Sequence, residues 1–260
     1  MAARASCRVP VLLYHAVTTQ RPLLPLAVSA DRFARQVDWL ARSGYTGIAA
    51  GTWIDAMRTG NPLPRRPVVI TLDDGYAELM TTALPHLIRR GFGATVFVVT
   101  GFLGGYPTWD PPPYTGPLMD ADDIRAWATR GVEFGAHSRT HPRLTLVDDT
   151  TLHAEVRGSR DDLAEILGAP PKVFAYPYGS HDARVAATTR DSYEGAFTTD
   201  KRLADHGRDP WQLSRLTVNS THRTVEVLAT VRYGRRPRDV VRDLRLKAVR
   251  KLSPTRYLPR

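Results

Sequence analysis

Apolar and polar positions along this chain follow two rhythms. Short continuous apolar runs at residues 9–14, 68–72, 94–100 and 173–176 read as strands buried on both faces. Between them lie stretches with apolar residues three and four apart, the spacing of a helix with one inward face. The clearest begins at Ser29, a plausible N-cap, and runs to Arg42 with Phe33, Val37 and Leu40 on one face and Gly44 to stop it. Shorter helices are predicted over residues 52–58, 81–90, 120–130, 181–190 and 224–233, and a long one over 148–168. Further strands are predicted at 47–50, 131–135, 195–198 and 213–218. Strand and helix alternate, which predicts parallel βα units in an α/β fold. Residues 101–118 break the rhythm with four Gly and five Pro, interleaved with Phe102, Tyr106, Trp109 and Tyr114. A loop this long inside a compact domain is commonly functional.

The residues able to do chemistry fall where strands end, the position of active sites in βα barrels. Val68-Val69-Ile70-Thr71-Leu72 runs into Asp73-Asp74-Gly75-Tyr76. Asp-Asp-Gly is ordinary turn chemistry, but two adjacent carboxylates repel, and a cation beside them relieves the repulsion. His137-Ser138-Arg139-Thr140-His141 offers two imidazoles four apart, on one face if the segment is a helical turn. Ser138 and Pro142 favour a tight turn instead. One Asp and two His make a three-ligand set for a divalent metal, with the second Asp left over as a base, which points to a metal-dependent hydrolase. Phe174-Ala175-Tyr176-Pro177-Tyr178-Gly179 is a strand entering a turn, either plain punctuation or a pocket wall with a backbone N–H aimed at an oxyanion. His15 ends the first strand and is a packed histidine or a candidate acid.

Composition narrows this reading. The 260 residues, 42% hydrophobic and 24% charged, suit one large α/β domain or two small ones. Cys7 is the only cysteine, so neither an intrachain disulfide nor a thiolate metal cluster is available. The net charge of +10 is uneven: residues 232–260 hold eleven Lys/Arg and two Asp, and the remainder is nearly neutral. No basic stripe for nucleic acid crosses the body. The chain therefore divides into a catalytic domain over residues 1–231 and a basic tail over 232–260. Within the tail, residues 238–251 fit a helix with Val241, Leu244, Ala248 and Leu252 on or beside one face. Such a helix suits peripheral membrane contact through residues 236–260; a solvated, fraying terminus is the alternative. No run reaches the ~20 apolar residues that span a bilayer. The start lacks a signal-peptide pattern, so the expected location is cytoplasmic, with membrane association through the tail.

Three ordered motifs, Thr71-Leu72-Asp73-Asp74-Gly75, His137-Ser138-Arg139-Thr140-His141 and Tyr176-Pro177-Tyr178-Gly179, resemble those of the polysaccharide deacetylases, the NodB-homology family (carbohydrate esterase family 4). The resemblance runs from about residue 9 to 218. Tyr14-His15-Ala16-Val17 looks like the branch that includes poly-β-1,6-N-acetylglucosamine deacetylases, where the acid histidine comes from the first strand rather than from a late Leu-x-His. This chain has no late Leu-x-His.

The resemblance implies an irregular (β/α)7 barrel and hydrolysis of the N-acetyl group of an acetamido sugar in a polysaccharide, oligosaccharide or glycoconjugate. It implies a metal held by Asp74, His137 and His141, with Zn2+ first and Co2+ or Ni2+ as alternatives. Asp73 would be the base, the Tyr178 N–H an oxyanion donor and His15, as imidazolium, the acid. The candidate sugar-binding aromatics are Tyr106, Trp109, Tyr114 and Tyr176. One departure matters. The family often has an Arg two residues before the Pro of the third motif, paired with the base, and here that position is Ala175. Arg215, in Leu213-Ser214-Arg215-Leu216, is a candidate substitute. A carbohydrate-binding protein without turnover, and an amide or ester hydrolase for another substrate, are the alternatives.

Overall fold

In a computed structural model of the chain, seven parallel strands lie side by side. Their order is Gly195–Phe197, Val173–Ala175, Glu133–Ala136, Thr95–Val98, Pro67–Leu72, Val11–Tyr14 and Leu216–Thr217. An eighth, Thr46–Ile48, pairs with the first half of Pro67–Leu72, whose second half pairs with Thr95–Val98. The structure describes residues 8–20, 24–109, 116–199, 204–205 and 209–233.

The two edges of the row are joined. Leu213 bridges Phe197 at one edge, and Leu216, three residues on, pairs with Leu12 at the other. The sheet is thereby curled into an irregular (β/α)7 barrel. Side chains alternate across it, as they must in a strand. Val11, Val69, Phe97, Val173, Ala175, Phe197 and Leu213 belong to the apolar cluster inside the curl. Leu12, Tyr14, Ile70, Leu72, Val96, Val98 and Phe174 belong to the cluster beneath the helices. Each fully buried side chain of this size contributes roughly 1.5–3 kcal/mol, so the continuous apolar runs are what a sheet covered on both faces requires.

Most elements lie where the pattern puts them. Helix Ala30–Arg42 starts at Ser29, whose hydroxyl accepts from the Arg32 N–H at 3.4 Å. Helix Asp149–Leu167 starts at Asp148 and ends at Gly168, which takes a φ of 75°. Asp120 and Asp123 form a reciprocal capping box on helix Ala121–Ala128. Two elements differ. The helix expected over 81–90 is two short ones, Leu79–Thr82 and Leu84–Arg89, because Pro85 has no N–H to continue the ladder. The strand expected over 213–218 is regular only at Leu216–Thr217, since Leu213 turns to the opposite edge to close the ring.

The last described helix, Thr224–Tyr233, runs across the 231/232 boundary expected from charge. The proposed helix at 238–251, the tail segment 236–260 and Cys7 lie outside the described residues.

Candidate metal centre

The ladder carries the functional residues to one end of the barrel. The Asp73 N–H donates to the Tyr14 carbonyl at 2.9 Å and the His137 N–H to the Val98 carbonyl at 2.8 Å. Both residues are therefore fixed as extensions of strands. Beyond them the backbone turns sharply. Five non-glycine residues among those described have positive φ, and four are here: Asp74, Ser138, His141 and Tyr178. Each such residue costs on the order of 1–3 kcal/mol and persists only where surrounding contacts hold it. Gly75, at φ 77°, completes the turn after the carboxylates. A Cβ there would lie 2.8 Å from Val98 Cγ1.

Asp74, His137 and His141 converge. One ligand atom from each lies within 4.8 Å of the others. His137 Nε2 and His141 Nε2 are each 3.7 Å from the same Asp74 oxygen, Oδ1. That is too long for a hydrogen bond. The His137 Nδ1–H donates to the Ala175 carbonyl at 2.7 Å, so its Nε2 presents a lone pair to the gap. All three side chains are buried. Burial keeps both imidazoles neutral, pushing His141 down to about 2 and His137 below its ordinary value. Burial, and then the Asp73 charge, push Asp74 up to about 8. Two neutral imidazoles and a carboxylate that needs a counter-charge, spaced around a gap, fit a divalent cation. The segment His137–His141 is a turn with two left-handed residues, not a helical face.

Asp73 also approaches the set, its Oδ2 3.8 Å from His137 Nε2, but both of its oxygens are taken by Arg215. Arg215 is wholly buried. Its Nη1 and Nη2 donate to Asp73 Oδ1 and Oδ2 at 2.6 and 2.8 Å. Its Nε donates to the Thr198 carbonyl at 3.0 Å, and Nη1 also reaches Thr71 Oγ1 at 3.3 Å. The guanidinium carbon lies 5.6 and 6.0 Å from the ring centroids of Phe97 and Phe197, the apolar floor of the barrel. Burial alone would raise the Asp73 carboxyl, but the Arg215 guanidinium holds it below the usual carboxylate range. A guanidinium therefore reaches Asp73 from the ring-closing segment, while residue 175 is Ala.

A pocket of about 480 Å³ opens over these residues, lined also by His15, Trp109, Tyr176, Tyr178, Leu13, Leu26, Thr199 and Thr217. Trp109 lies against His141 with centroids 4.7 Å apart and planes at 29°, and Tyr178 meets the same ring edge-on at 4.6 Å. Tyr176 is among the lining residues, and its hydroxyl donates to the Trp211 carbonyl at 2.9 Å. Tyr106 is 60% exposed and is not part of the lining. Tyr114 lies outside the described residues. His15 lines the pocket, and its Nδ1 is buried with no hydrogen-bond partner among the described residues. Burial pushes His15 down to about 4, against the pull of Asp73. Burial thus favours the neutral form of the ring that the resemblance implies as the acid.

Several contributors carry no chemical signal of their own. Thr71 and Thr198 complete the shell of Arg215, and Leu26, Thr199 and Thr217 shape the pocket. Glu155 accepts from the turn that carries the histidines. Its only sequence signal is a carboxylate on the inward face of a helix, among Leu152, Val156, Ser159 and Leu163.

Known proteins are similar to this chain in sequence and in fold. The chain is 36% identical over 120 residues to the poly-β-1,6-N-acetyl-D-glucosamine N-deacetylase of Escherichia coli (strain K12), covering 44% of this chain and 18% of that one. The chain thus spans under a fifth of that protein. The Streptococcus pyogenes deacetylase PplD, solved with acetate, superposes with a TM-score of 0.77 at 21% identity, covering 87% of this chain and 99% of that one. IcaB from Ammonifex degensii superposes with a TM-score of 0.72 at 23% identity, covering 86% and 97%. These two likenesses show the fold. A family model described as polysaccharide deacetylase matches residues 60–193, just over half of the chain and including both acids and both histidines. By that match, the chain belongs to the polysaccharide deacetylase family.

Proposed function

We propose that this chain is a metal-dependent carbohydrate N-deacetylase, releasing acetate from an acetamido sugar in a polysaccharide, oligosaccharide or glycoconjugate. The observation that carries the reading is the division of labour between adjacent acids: Asp74 faces two imidazole nitrogens, and Asp73 is locked onto Arg215. The family match and the name of the Escherichia coli relative support the substrate class. The donor set of two imidazoles and one carboxylate suits Zn2+ best, with Co2+ and Ni2+ as alternatives.

Such a cation, when bound, supplies Lewis acidity and lowers the pKa of water from ~15.7 toward ~7. The chain's own residues do the rest. Arg215 keeps Asp73 ionised, and Asp73 accepts the proton of the attacking water. Tyr178, turned left-handed at φ 57°, directs its N–H as an oxyanion donor. His15, neutral at rest, relays the proton gathered at Asp73 to the leaving amine, which departs poorly unless protonated. The products are acetate and a free amino sugar. Trp109 and Tyr176 form the wall against the sugar.

The test is acetate release from N-acetylglucosamine oligomers and lipid- or nucleotide-linked acetamido sugars by the metal-reconstituted chain. Metal uptake with no release from any of them would overturn the enzyme reading and leave a binding protein.

Peripheral membrane contact through residues 236–260 belongs to the same proposal and rests on their charge and apolar spacing. Liposome co-sedimentation of chains with and without the segment tests it, and equal binding by both would dismiss it.

A further inference from the structure

The turn between the two histidines is gripped from outside the site. Glu155 projects from helix Asp149–Leu167 and is buried to 6% exposure. Its Oε2 accepts from the backbone N–H groups of Arg139 and Thr140, both at 2.8 Å, and its Oε1 from the Thr140 hydroxyl. Two successive N–H groups point at one oxygen because the left-handed residues Ser138 and His141 flank them, each at φ 63°. Such a concavity of backbone N–H groups is made for an anion.

The grip is continued along the same helix. Asp162, seven residues on and so on the same face, accepts from Arg139 Nε and Nη2 at 2.9 and 3.1 Å and from the Thr100 hydroxyl at 2.6 Å. Gly158 lies between the two acids, and a Cβ there would sit 2.5 Å from Arg139 Cδ. A hydrogen bond from Gly101 N to the Arg139 carbonyl at 2.8 Å ties down the other side of the turn.

We propose that Glu155 is a positioning residue for the metal centre: by holding the N–H groups of Arg139 and Thr140, it fixes the turn that aims His141 at the gap shared with His137 and Asp74. The proposal rests on the metal reading above. His141 has no strand beneath it, unlike His137, and its Nδ1 is buried without a hydrogen-bond partner among the described residues. Its aim therefore depends on the turn and on the rings of Trp109 and Tyr178. Outer contacts that orient a ligand typically govern metal affinity 10- to 100-fold.

The test uses the full chain, stripped of metal and titrated with Co2+, whose visible absorption reports affinity and ligand geometry. Glu155→Ala should weaken Co2+ binding about 10- to 100-fold and alter the absorption band. Glu155→Gln keeps an oxygen for the N–H pair and a group for the Thr140 hydroxyl, and should restore affinity close to wild type. Far-UV circular dichroism and melting of the metal-free forms report the fold separately. A folded Glu155→Ala chain with unchanged Co2+ affinity and band would overturn the proposal, as would a Gln variant as impaired as Ala. If Glu155→Ala does not fold, Thr140→Val decides: weaker Co2+ binding supports the grip, and unchanged binding overturns it. An unsubstituted chain that takes up no Co2+ would instead overturn the metal reading, and the grip with it.

Discussion

Arg215 and Asp73 face each other through two hydrogen bonds of 2.6 and 2.8 Å in the barrel interior, at the floor of the pocket and 2% exposed or less. Removing one member of such a pair leaves a buried charge without compensation, which costs about 3–5 kcal/mol. Arg215→Ala should lower the melting temperature by that measure and abolish acetate release. Arg215→Lys keeps the charge but loses the fork, and should recover only part of either. An alanine variant that melts and turns over like wild type would remove Arg215 from the machinery.

Asp73→Asn separates the two acids. Asp74, His137 and His141 are untouched, so metal uptake should persist. Turnover should fall about 10²- to 10⁴-fold, the usual contribution of a general base. Metal content by mass spectrometry and acetate release measure the two effects. An Asn variant that retains turnover would rule out Asp73 as the base.

Chelation should stop acetate release, and Zn2+ or Co2+ should restore it. Asp74→Asn and His137→Ala should not be restored at equal metal concentrations. Folded-state melting should rise with added metal in the wild type alone, since a ligand that binds only the folded state stabilises it. Activity that survives exhaustive chelation would refute the metal requirement.

Away from the site, Glu133 provides a pH signature. It accepts from the Gly51 N–H and the Thr95 hydroxyl and lies near Asp55 and Lys172. Burial outweighs these hydrogen bonds and raises the Glu133 carboxyl above its ordinary 4.5. A raised folded value means that the folded chain binds a proton the unfolded chain releases. The stability linked to that proton is fully present below about 4.5 and is lost as pH rises through the folded value. Melting curves of Glu133→Gln should therefore decline less over that range than those of wild type; parallel curves would show that Glu133 does not set the slope.

Two aromatics of one loop should behave differently. Trp109 lies against His141, whereas Tyr106 is exposed and outside the pocket lining. Trp109→Ala should raise KM for glycan roughly 3- to 10-fold, the scale of one lost aromatic contact. Tyr106→Ala should leave both kinetic constants unchanged. Equal effects on KM would place the sugar elsewhere.

The elements legible from sequence are those whose signals are local. Ser29, Asp120 and Asp148 announce helix starts, Gly44 and Gly168 announce stops, and apolar runs mark the covered strands. Asp73, Asp74, His137 and His141 were readable as a set because strand ends concentrate chemistry. Arg215 was readable only as the answer to a deficit at Ala175; no periodicity says that residue 215 crosses to residue 73. Ser138 and Pro142 favour a turn over a helix at His137–His141, but residue spacing carries no trace of its positive φ outside glycine. That conformation is sustained by Glu155, from another element. The environment of His15 is equally silent in the sequence, because the groups around it, Asp73, His137 and Arg215, come from distant segments.

The ring-closing segment has a consequence for how the protein comes into being. The stretch matched by the family model, residues 60–193, includes Asp73 but neither His15 nor Arg215. Asp73 has no guanidinium partner until residue 215 has been made and docks between Thr198 and Thr71. Assembly of the reaction chamber is therefore a late, long-range event, of the kind that slows folding. Fragments ending before residue 215 should remain open and inert however well their motifs are preserved.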